Sequence, residues 1–107
     1  MQSGTFQLRT YRRIPVQCAV YFSNHNVQAT GNLWNLSVGG CRVDGNTEVR
    51  PGMIFCLLLI LGQRQQSIIV EQATVTWARG REFGLRINRI HTSDAKQLQQ
   101  LVTSQIS

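Results

Sequence analysis

Acidic residues and lysines are both scarce in this chain of 107 residues. Five aspartates and glutamates stand against 11 lysines and arginines, which gives a net charge of +6, and Lys96 is the single lysine. With so few carboxylates, chemistry that needs a carboxylate pair is disfavoured. Arginine, unlike lysine, carries a planar fork of donors that fits phosphates and guanine edges and stacks on flat rings. The charge balance therefore favours an anionic partner recognised through arginine.

The chain also lacks a long apolar run and an apolar leader. The longest apolar stretch, residues 53–61, is far shorter than the roughly 18 residues of a membrane span, and its length fits a buried strand. The N-terminal segment MQSGTFQLR has no apolar core of the kind found in secretory signals. We therefore expect a cytoplasmic protein with no membrane insertion.

Residues that could carry catalysis or bind a metal are few and poorly spaced. Cys18, Cys41 and Cys56 form no C-x-x-C pair, so we expect reduced, buried thiols rather than metal ligands or disulfides. His25 and His91 have no carboxylate or cysteine at the spacing of a ligand pair or a nucleophilic pair. The sequence predicts no catalytic residue, no metal site and no cofactor, and thus a binding module rather than an enzyme.

Most of the chain alternates apolar and polar residues with a period of two, which is typical of strands. Clusters of glycine, proline and asparagine interrupt the alternation at regular intervals and predict turns. The predicted strands are residues 16–22, 27–35, 41–44, 53–61, 67–78 and 83–87. The fifth of these contains Glu71-Gln72, where we expect a bulge.

Only the C-terminal segment has helical spacing, with Leu98, Leu101 and Val102 on one face and Thr92 or Ser93 as the cap. Six short strands closed by one helix predict an all-β fold, a six-stranded antiparallel barrel with a C-terminal α-helix. We expect a flexible N-terminal arm at residues 1–8 and one folded domain at residues 9–107.

Two short motifs flank the first strands. Arg9 and Arg13 form R-x-x-x-R just before the first strand, and Asn35, Ser37 and Gly40 form N-x-S-x-x-G between the second and third. In this order, the pair resembles the motifs of the PilZ domain family, whose members are receptors for cyclic di-GMP. The segments RIPV, RPGM and VTWARGREFGLRI fit the same family. The resemblance extends over nearly the whole chain and implies a PilZ-type barrel.

The residue types of both motifs suit cyclic di-GMP, which has two phosphates and two guanines. An arginine fork bonds guanine O6 and N7 together or clamps a phosphate, so the resemblance implies ligand contacts for Arg9 and Arg13. Arg12, beside the motif, is predicted to add a contact in place of the arginine missing at Leu8, with a solvent-facing side chain as the alternative. The opposite edge of guanine carries N–H donors, to which Asn35 and Ser37 offer oxygen acceptors. A structural turn held by side-chain-to-backbone bonds is the alternative for Asn35 and Ser37.

Three more residues complete the predicted ligand site. Gly40 permits a positive φ and a close approach of the backbone, and Gly39 precedes it in the same turn. Trp77 offers an aromatic plane on which a guanine can stack, with burial in the core as the alternative. The sequence departs from the family pattern at Leu8, where a further arginine is common, and Asn35 takes the neutral option of its motif.

The resemblance predicts a cyclic di-GMP receptor whose arginine arm becomes ordered on ligand binding. The receptor would then signal to an unidentified downstream protein in motility, chemotaxis or exopolysaccharide control. One alternative is a small nucleic-acid-binding barrel, which uses the same arm with Trp77 or Tyr11 for base stacking. Another is a PilZ-like barrel that binds no ligand and acts only as a protein interaction module. The intact motifs argue against the last, and the salt dependence of binding separates the first two.

Overall fold

The barrel is seen in a computed structural model that describes residues 18–61 and 67–106. Its elements are β1 (Cys18–Ser23), β2 (Gln28–Trp34), β3 (Gly40–Gly45), β4 (Ile54–Ile60), β5 (Ile68–Arg79), β6 (Glu82–Ile90) and α1 (Thr92–Ile106). All strand pairs are antiparallel, and the sheet closes in the order β1-β2-β3-β6-β5-β4, with β4 paired to β1. This architecture confirms the predicted six-stranded barrel with a C-terminal helix.

The barrel interior is filled by alternate residues of its strands. Phe22 of β1 lies at its centre, with its ring edge-on to Phe55 and Phe83 at centroid distances of 5.2 Å in both pairs. All three phenylalanines are fully buried. Edge-to-face contacts of this kind add about 0.5–1.5 kcal/mol per pair beyond the burial of the rings. The aromatic trio therefore joins β1, β4 and β6 across the interior.

The turns and the bulge fall where the sequence predicts them. Gly52 precedes β4 with a φ of 93°, and Gly80 joins β5 to β6 with a φ of 62°. Both values lie in the left-handed region, which glycine enters without steric cost. The register of β5 against β6 shifts on both sides of Gln72, which confirms the bulge. Strand β6 continues beyond its predicted end to Ile90.

Strand β4 differs from the prediction of a buried strand because its outer face is only partly covered. Phe55, Leu57 and Leu59 point into the barrel, whereas Ile54 is 46% exposed and Cys56 is exposed as well. The apolar run thus reflects apolar residues on both faces, not burial of both. The expectation of buried cysteines was wrong for Cys56, although all three cysteines are thiols.

Helix α1 packs against β5. Leu98 and Val102 are buried in the core and Leu101 packs against it, which confirms the predicted apolar face. Asp94 accepts a hydrogen bond from the backbone N–H of Ile69 at 3.1 Å. This carboxylate therefore ties the first turn of the helix to the start of β5, besides complementing the helix dipole. The expected boundary between the arm and the domain, after residue 8, lies outside the described residues.

Candidate ligand-binding site

The turn between β2 and β3 is built around the hydroxyl of Ser37. Its Oγ accepts hydrogen bonds from the N–H groups of Gly39 and Gly40 and donates one to the carbonyl of Gly40, each at 3.2 Å. The backbone N–H of Ser37 also donates to that carbonyl, at 2.9 Å. Because the side chain is only 1% exposed and its donor and both lone pairs are used, Ser37 fixes the shape of the turn.

Two residues of this turn have special backbone requirements. Asn35 has a φ of 52°, in the left-handed region that asparagine tolerates better than most residues. Gly40 does not use the positive φ that glycine permits, but it does need the close backbone approach. A Cβ built on Gly40 would collide with the carbonyl oxygen of Leu85 on β6. The carbonyl of Gly39 accepts a hydrogen bond from the N–H of Ile87 at 2.9 Å, so the turn is fixed against β6.

Trp77 lies on the outer surface of β5, where its side chain is 41% exposed. Its partner across β5 and β6 is Gly84. A Cβ built on Gly84 would stand 2.8 Å from Cδ1 and Cε2 of the indole, so the ring occupies the space that a side chain at this position would fill. This exposure excludes the alternative of a core tryptophan and leaves an aromatic surface open for stacking.

A shallow pocket joins the turn to the tryptophan. It has a volume of about 230 Å³, and its lining includes Asn35, Arg42, Trp77 and Gly84. The strand register explains this arrangement, since Gly84 is the cross-strand neighbour of both Arg42 on β3 and Trp77 on β5. The fold thus brings together Asn35 and Trp77, two predicted site residues that are far apart in sequence. Arg86 is exposed and pairs with Gly40 next to the pocket.

Arg42 forms an ion pair with Glu82 at the edge of this pocket. Its Nη2 donates to Glu82 Oε2 at 3.3 Å, and the two side chains are 40% and 43% exposed. This distance is longer than the roughly 2.7–2.9 Å of a strong charge-assisted hydrogen bond. The Nε of Arg42 is buried and has no hydrogen-bond partner among the described residues. Among the described residues, the guanidinium is therefore held through Nη2 alone.

The arginines of the first motif, Arg9, Arg12 and Arg13, lie outside the described residues. The start of β1 does show where the chain that carries them joins the barrel. Cys18, the first residue of β1, pairs with Leu33 on β2, two positions before Asn35. Strand β1 therefore begins beside the strand end that leads into the Ser37 turn.

Arg42 and Gly84 are pocket residues that the sequence did not assign to the site. A signal for Arg42 exists, because alternation with Cys41 and Val43 directs its side chain outwards immediately after the N-x-S-x-x-G motif. Gly84 carries no comparable signal. Its role depends on the pairing of β5 with β6, which brings Trp77 onto it.

Comparison with known proteins places this site in a family. The PilZ domain family matches residues 7–104 of the chain. The chain belongs to the PilZ family. Both PilZ motifs lie within the matched range, and the turn that the structure describes corresponds to the second. The comparison with curated proteins found no match to this chain.

Three solved structures share the PilZ fold of this chain. The PilZ domain of YcgR from Escherichia coli, solved with c-di-GMP, has a TM-score of 0.74 at 19% identity, covering 94% of this chain and 92% of that one. The Bacillus subtilis inhibitor of motility MotI/DgrA has a TM-score of 0.73 at 22% identity, covering 92% of this chain. The chain spans only 51% of MotI/DgrA. The PilZ domain of CeSA from a cellulose-synthesizing bacterium has a TM-score of 0.70 at 18% identity, covering 90% of this chain and 99% of that one.

Two further properties of the described residues bear on the site. No helix within residues 18–61 and 67–106 has the length and apolar character that crossing a membrane requires. The same residues contain no group of three or more histidines, cysteines, aspartates or glutamates arranged to hold a metal ion. The groups that line the candidate site are an arginine, an amide and an aromatic ring around an open pocket.

Proposed function

We propose that this PilZ protein is a receptor for cyclic di-GMP that works by binding and catalyses no reaction. The observation that carries the proposal is the pocket in which Asn35 and the open face of Trp77 meet. It combines a polar group for a base edge with an aromatic surface for a base plane. The proposal is supported by membership of the PilZ family and by the fold shared with the c-di-GMP-bound PilZ domain of YcgR.

The length of chain between the arginine motif and β1 would let the motif reach this pocket. Arg13 precedes the first residue of β1 by five positions, and an extended chain of that length spans about 17 Å. Because β1 begins beside the end of β2, the arm starts next to the turn that Asn35 opens. Arg9, Arg12 and Arg13 would then clamp phosphates and guanine edges from the side opposite the barrel.

The residues of the barrel would divide the remaining contacts. Trp77 stacks one guanine, and Asn35 accepts hydrogen bonds from a guanine edge. Gly39 and Gly40 carry no side chain, so the ligand can lie directly against the backbone of the turn. Ser37 acts by holding the turn in shape, since its hydroxyl is committed to Gly39 and Gly40.

Signalling would follow from ordering of the arm, with residues 1–8 as its flexible start and residues 9–107 as the binding domain. Three arginines within five positions repel one another, and a dianionic ligand neutralises them and draws the arm onto the barrel. The resulting change of surface shape and charge is the signal that a cytoplasmic partner protein reads. The fold shared with an inhibitor of motility supports motility control as the setting, with chemotaxis and exopolysaccharide control as the other options.

Calorimetric titration with cyclic di-GMP tests the proposal, using the wild-type chain and the variants Arg9→Ala, Arg13→Ala and Trp77→Ala. Each variant should weaken binding by roughly fivefold or more, the lower bound for loss of a good base contact. Arg81→Ala is the matched control, because Arg81 is exposed in the β5–β6 turn and its replacement removes the same charge. Absence of binding by the wild-type chain would reject the receptor function.

Salt and hydrogen exchange test the two remaining parts of the proposal. A steep loss of affinity with salt, together with binding of single-stranded nucleic acid, would indicate the nucleic-acid-binding alternative. Amide exchange of residues 5–14 should slow when ligand is added. Unchanged exchange in a chain that binds the ligand would reject the ordering mechanism and leave the receptor function standing.

A further inference from the structure

Among the described residues, Arg42 is the arginine that lines the pocket. It lines the pocket with Trp77 and is separated from it in the sheet only by Gly84. Neighbouring strands lie about 4.8 Å apart, so the backbones of Arg42 and Trp77 are about 10 Å apart. Because the indole occupies the space above Gly84, it fills much of that gap. The guanidinium of Arg42 is therefore placed beside the aromatic surface.

Most of the N–H donors of Arg42 have no hydrogen-bond partner among the described residues. Glu82 engages Nη2 at 3.3 Å, a long contact for an ion pair, and Nε has no hydrogen-bond partner among the described residues. A buried donor without an acceptor is unfavourable, so the present arrangement of Arg42 is one that a better acceptor can displace. Once Glu82 is displaced, the guanidinium can turn its Nε–H and an Nη–H towards the pocket as two parallel donors, and an acceptor pair is the partner that uses both.

A guanine stacked on Trp77 would present such a pair. Its O6 and N7 lie side by side on one edge and match the arginine fork, and stacking on the indole leaves that edge free to point sideways towards β3. Adenine keeps N7 but carries an amino group in place of O6, so one donor of the fork would face another donor. A residue in this position distinguishes the two bases, whereas a general phosphate contact does not.

We infer that Arg42 reads the guanine edge of cyclic di-GMP stacked on Trp77, and that Glu82 holds the guanidinium until the ligand displaces it. This inference rests on the proposed receptor function and assigns base selectivity to the barrel wall. Glu82 lies on β6, two residues before Gly84 on the same strand, and competes with the ligand for the same guanidinium. Removal of Arg42 and removal of Glu82 therefore have opposite effects on affinity.

The test compares binding of cyclic di-GMP and cyclic di-AMP to the wild-type chain, Arg42→Lys and Arg42→Gln. Lysine keeps the charge and loses the fork, so both variants should lose preference for cyclic di-GMP by roughly 5- to 150-fold, the range of one bidentate arginine–guanine contact. Arg79→Gln is the matched control, since it removes an exposed arginine from β5, two residues beyond Trp77. This control variant should lower the affinity for both ligands by the same factor, because it loses only a positive charge.

Glu82→Gln provides a second test in which Arg42 is intact. This variant should bind cyclic di-GMP more tightly than the wild-type chain, because the guanidinium is released. Asp44→Asn is its control, since Asp44 is an exposed carboxylate on β3 opposite Glu82 and has the same charge. The gain in Glu82→Gln should exceed that in Asp44→Asn, and it should vanish in the double variant with Arg42→Gln.

The outcomes separate this inference from the receptor function. If the wild-type chain binds cyclic di-GMP but Arg42→Lys keeps the full preference over cyclic di-AMP, Arg42 does not read the base. The inference alone would also be overturned if Arg42→Gln weakened the binding of both ligands equally. The same holds if Glu82→Gln and Asp44→Asn raised the affinity for cyclic di-GMP equally, because Arg42 would then contribute only its charge. If the wild-type chain binds no cyclic di-GMP, the receptor function and this inference fail together.

Discussion

The indole of Trp77 rests against Gly84, its partner across β5 and β6, in the space where any other residue would carry a side chain. The three atoms nearest to a Cβ built at this position all belong to the five-membered ring of the indole. Gly84 therefore sets the height and tilt of the aromatic surface. The pocket depends on a missing side chain as much as on the side chains that line it.

Replacement of Gly84 by alanine should push the indole away from the sheet. We expect a loss of about 1–3 kcal/mol in the free energy of unfolding, typical of overpacking at a tight contact. The fluorescence of Trp77 should shift as its surroundings change. Both effects can be measured in a Trp34→Phe background, which leaves Trp77 as the only tryptophan.

The double variant Trp77→Leu with Gly84→Ala is the control for this prediction. The three atoms nearest to a Cβ at position 84 all belong to the indole, so removing the indole should recover most of the lost stability. If Gly84→Ala lowers the free energy of unfolding equally with leucine and with tryptophan at position 77, the strain lies in the backbone of β6 instead.

Replacement of Ser37 by alanine should loosen the turn between β2 and β3. The hydroxyl is buried and serves the N–H groups of Gly39 and Gly40 and the carbonyl of Gly40. Loss of such a buried hub leaves polar groups unsatisfied, at a cost of about 1–3 kcal/mol. Thermal unfolding measures the loss, with Val38→Ala as the control because Val38 is exposed in the same turn. Equal melting temperatures for the two variants would contradict the prediction.

The thiols should differ in reactivity towards iodoacetamide. Burial raises the pKa of the Cys18 thiol above its usual value of 9.0, and Cys56 is exposed. Because the thiolate is the reactive form, Cys18 should be alkylated more slowly than Cys56 at pH 8 and should accelerate as the pH rises. Peptide mapping follows each site, and the unfolded chain in urea, where the two rates should converge, is the control. A rate at Cys18 equal to that at Cys56 in the folded chain would argue against its burial.

The raised pKa of Cys18 also fixes the sign of a stability effect in alkaline solution. Above pH 9.0 the Cys18 thiol ionises in the unfolded chain before it ionises in the folded one. The folded state then holds more protons, so this group lowers the stability as the pH rises. Cys18→Ser should reduce the slope of stability against pH in this range. Denaturant titrations between about pH 8 and about pH 10, on either side of the ordinary pKa of a cysteine thiol, can measure that slope.

Replacement of Asp94 by alanine should weaken the attachment of α1 to the barrel. The carboxylate accepts the N–H of Ile69 and lies in the first turn of the helix. Loss of a hydrogen bond to a charged group costs about 1.5–3 kcal/mol. Asp94→Asn keeps an acceptor oxygen and should retain part of this stability. Denaturant unfolding would contradict the assignment if alanine and asparagine were equivalent.

Local patterns in the sequence predicted the elements and one side of the site. The alternation around Val20 and Phe22 reports the inward face of a strand wherever that strand lies in the sheet. The spacing of Asn35, Ser37 and Gly40 is likewise a local property of one turn, and the structure shows that turn as a compact unit.

Relationships between distant strands could not be read from the same patterns. The contact of Arg42 with Glu82 depends on the β3–β6 register, and the contact of Trp77 with Gly84 depends on the register of the bulged pair β5 and β6. The exposure of Cys56 was missed for a related reason, because an apolar run has no period that separates a covered face from an uncovered one. A close backbone approach was expected at Gly40, but the sequence could not show that the close neighbour is Leu85, on a strand far along the chain.

The closed order of the strands has a consequence for how a ligand would act on folding. The pocket draws on the β2–β3 turn, β3, β5 and β6, and its Arg42–Glu82 contact joins residues 40 positions apart. Such a pocket exists only once these strands have paired. Bound ligand should therefore raise the free energy of global unfolding by RT ln(1 + [L]/Kd) and protect no form in which these strands are unpaired. Fragments that lack any one of these strands should have no affinity at all.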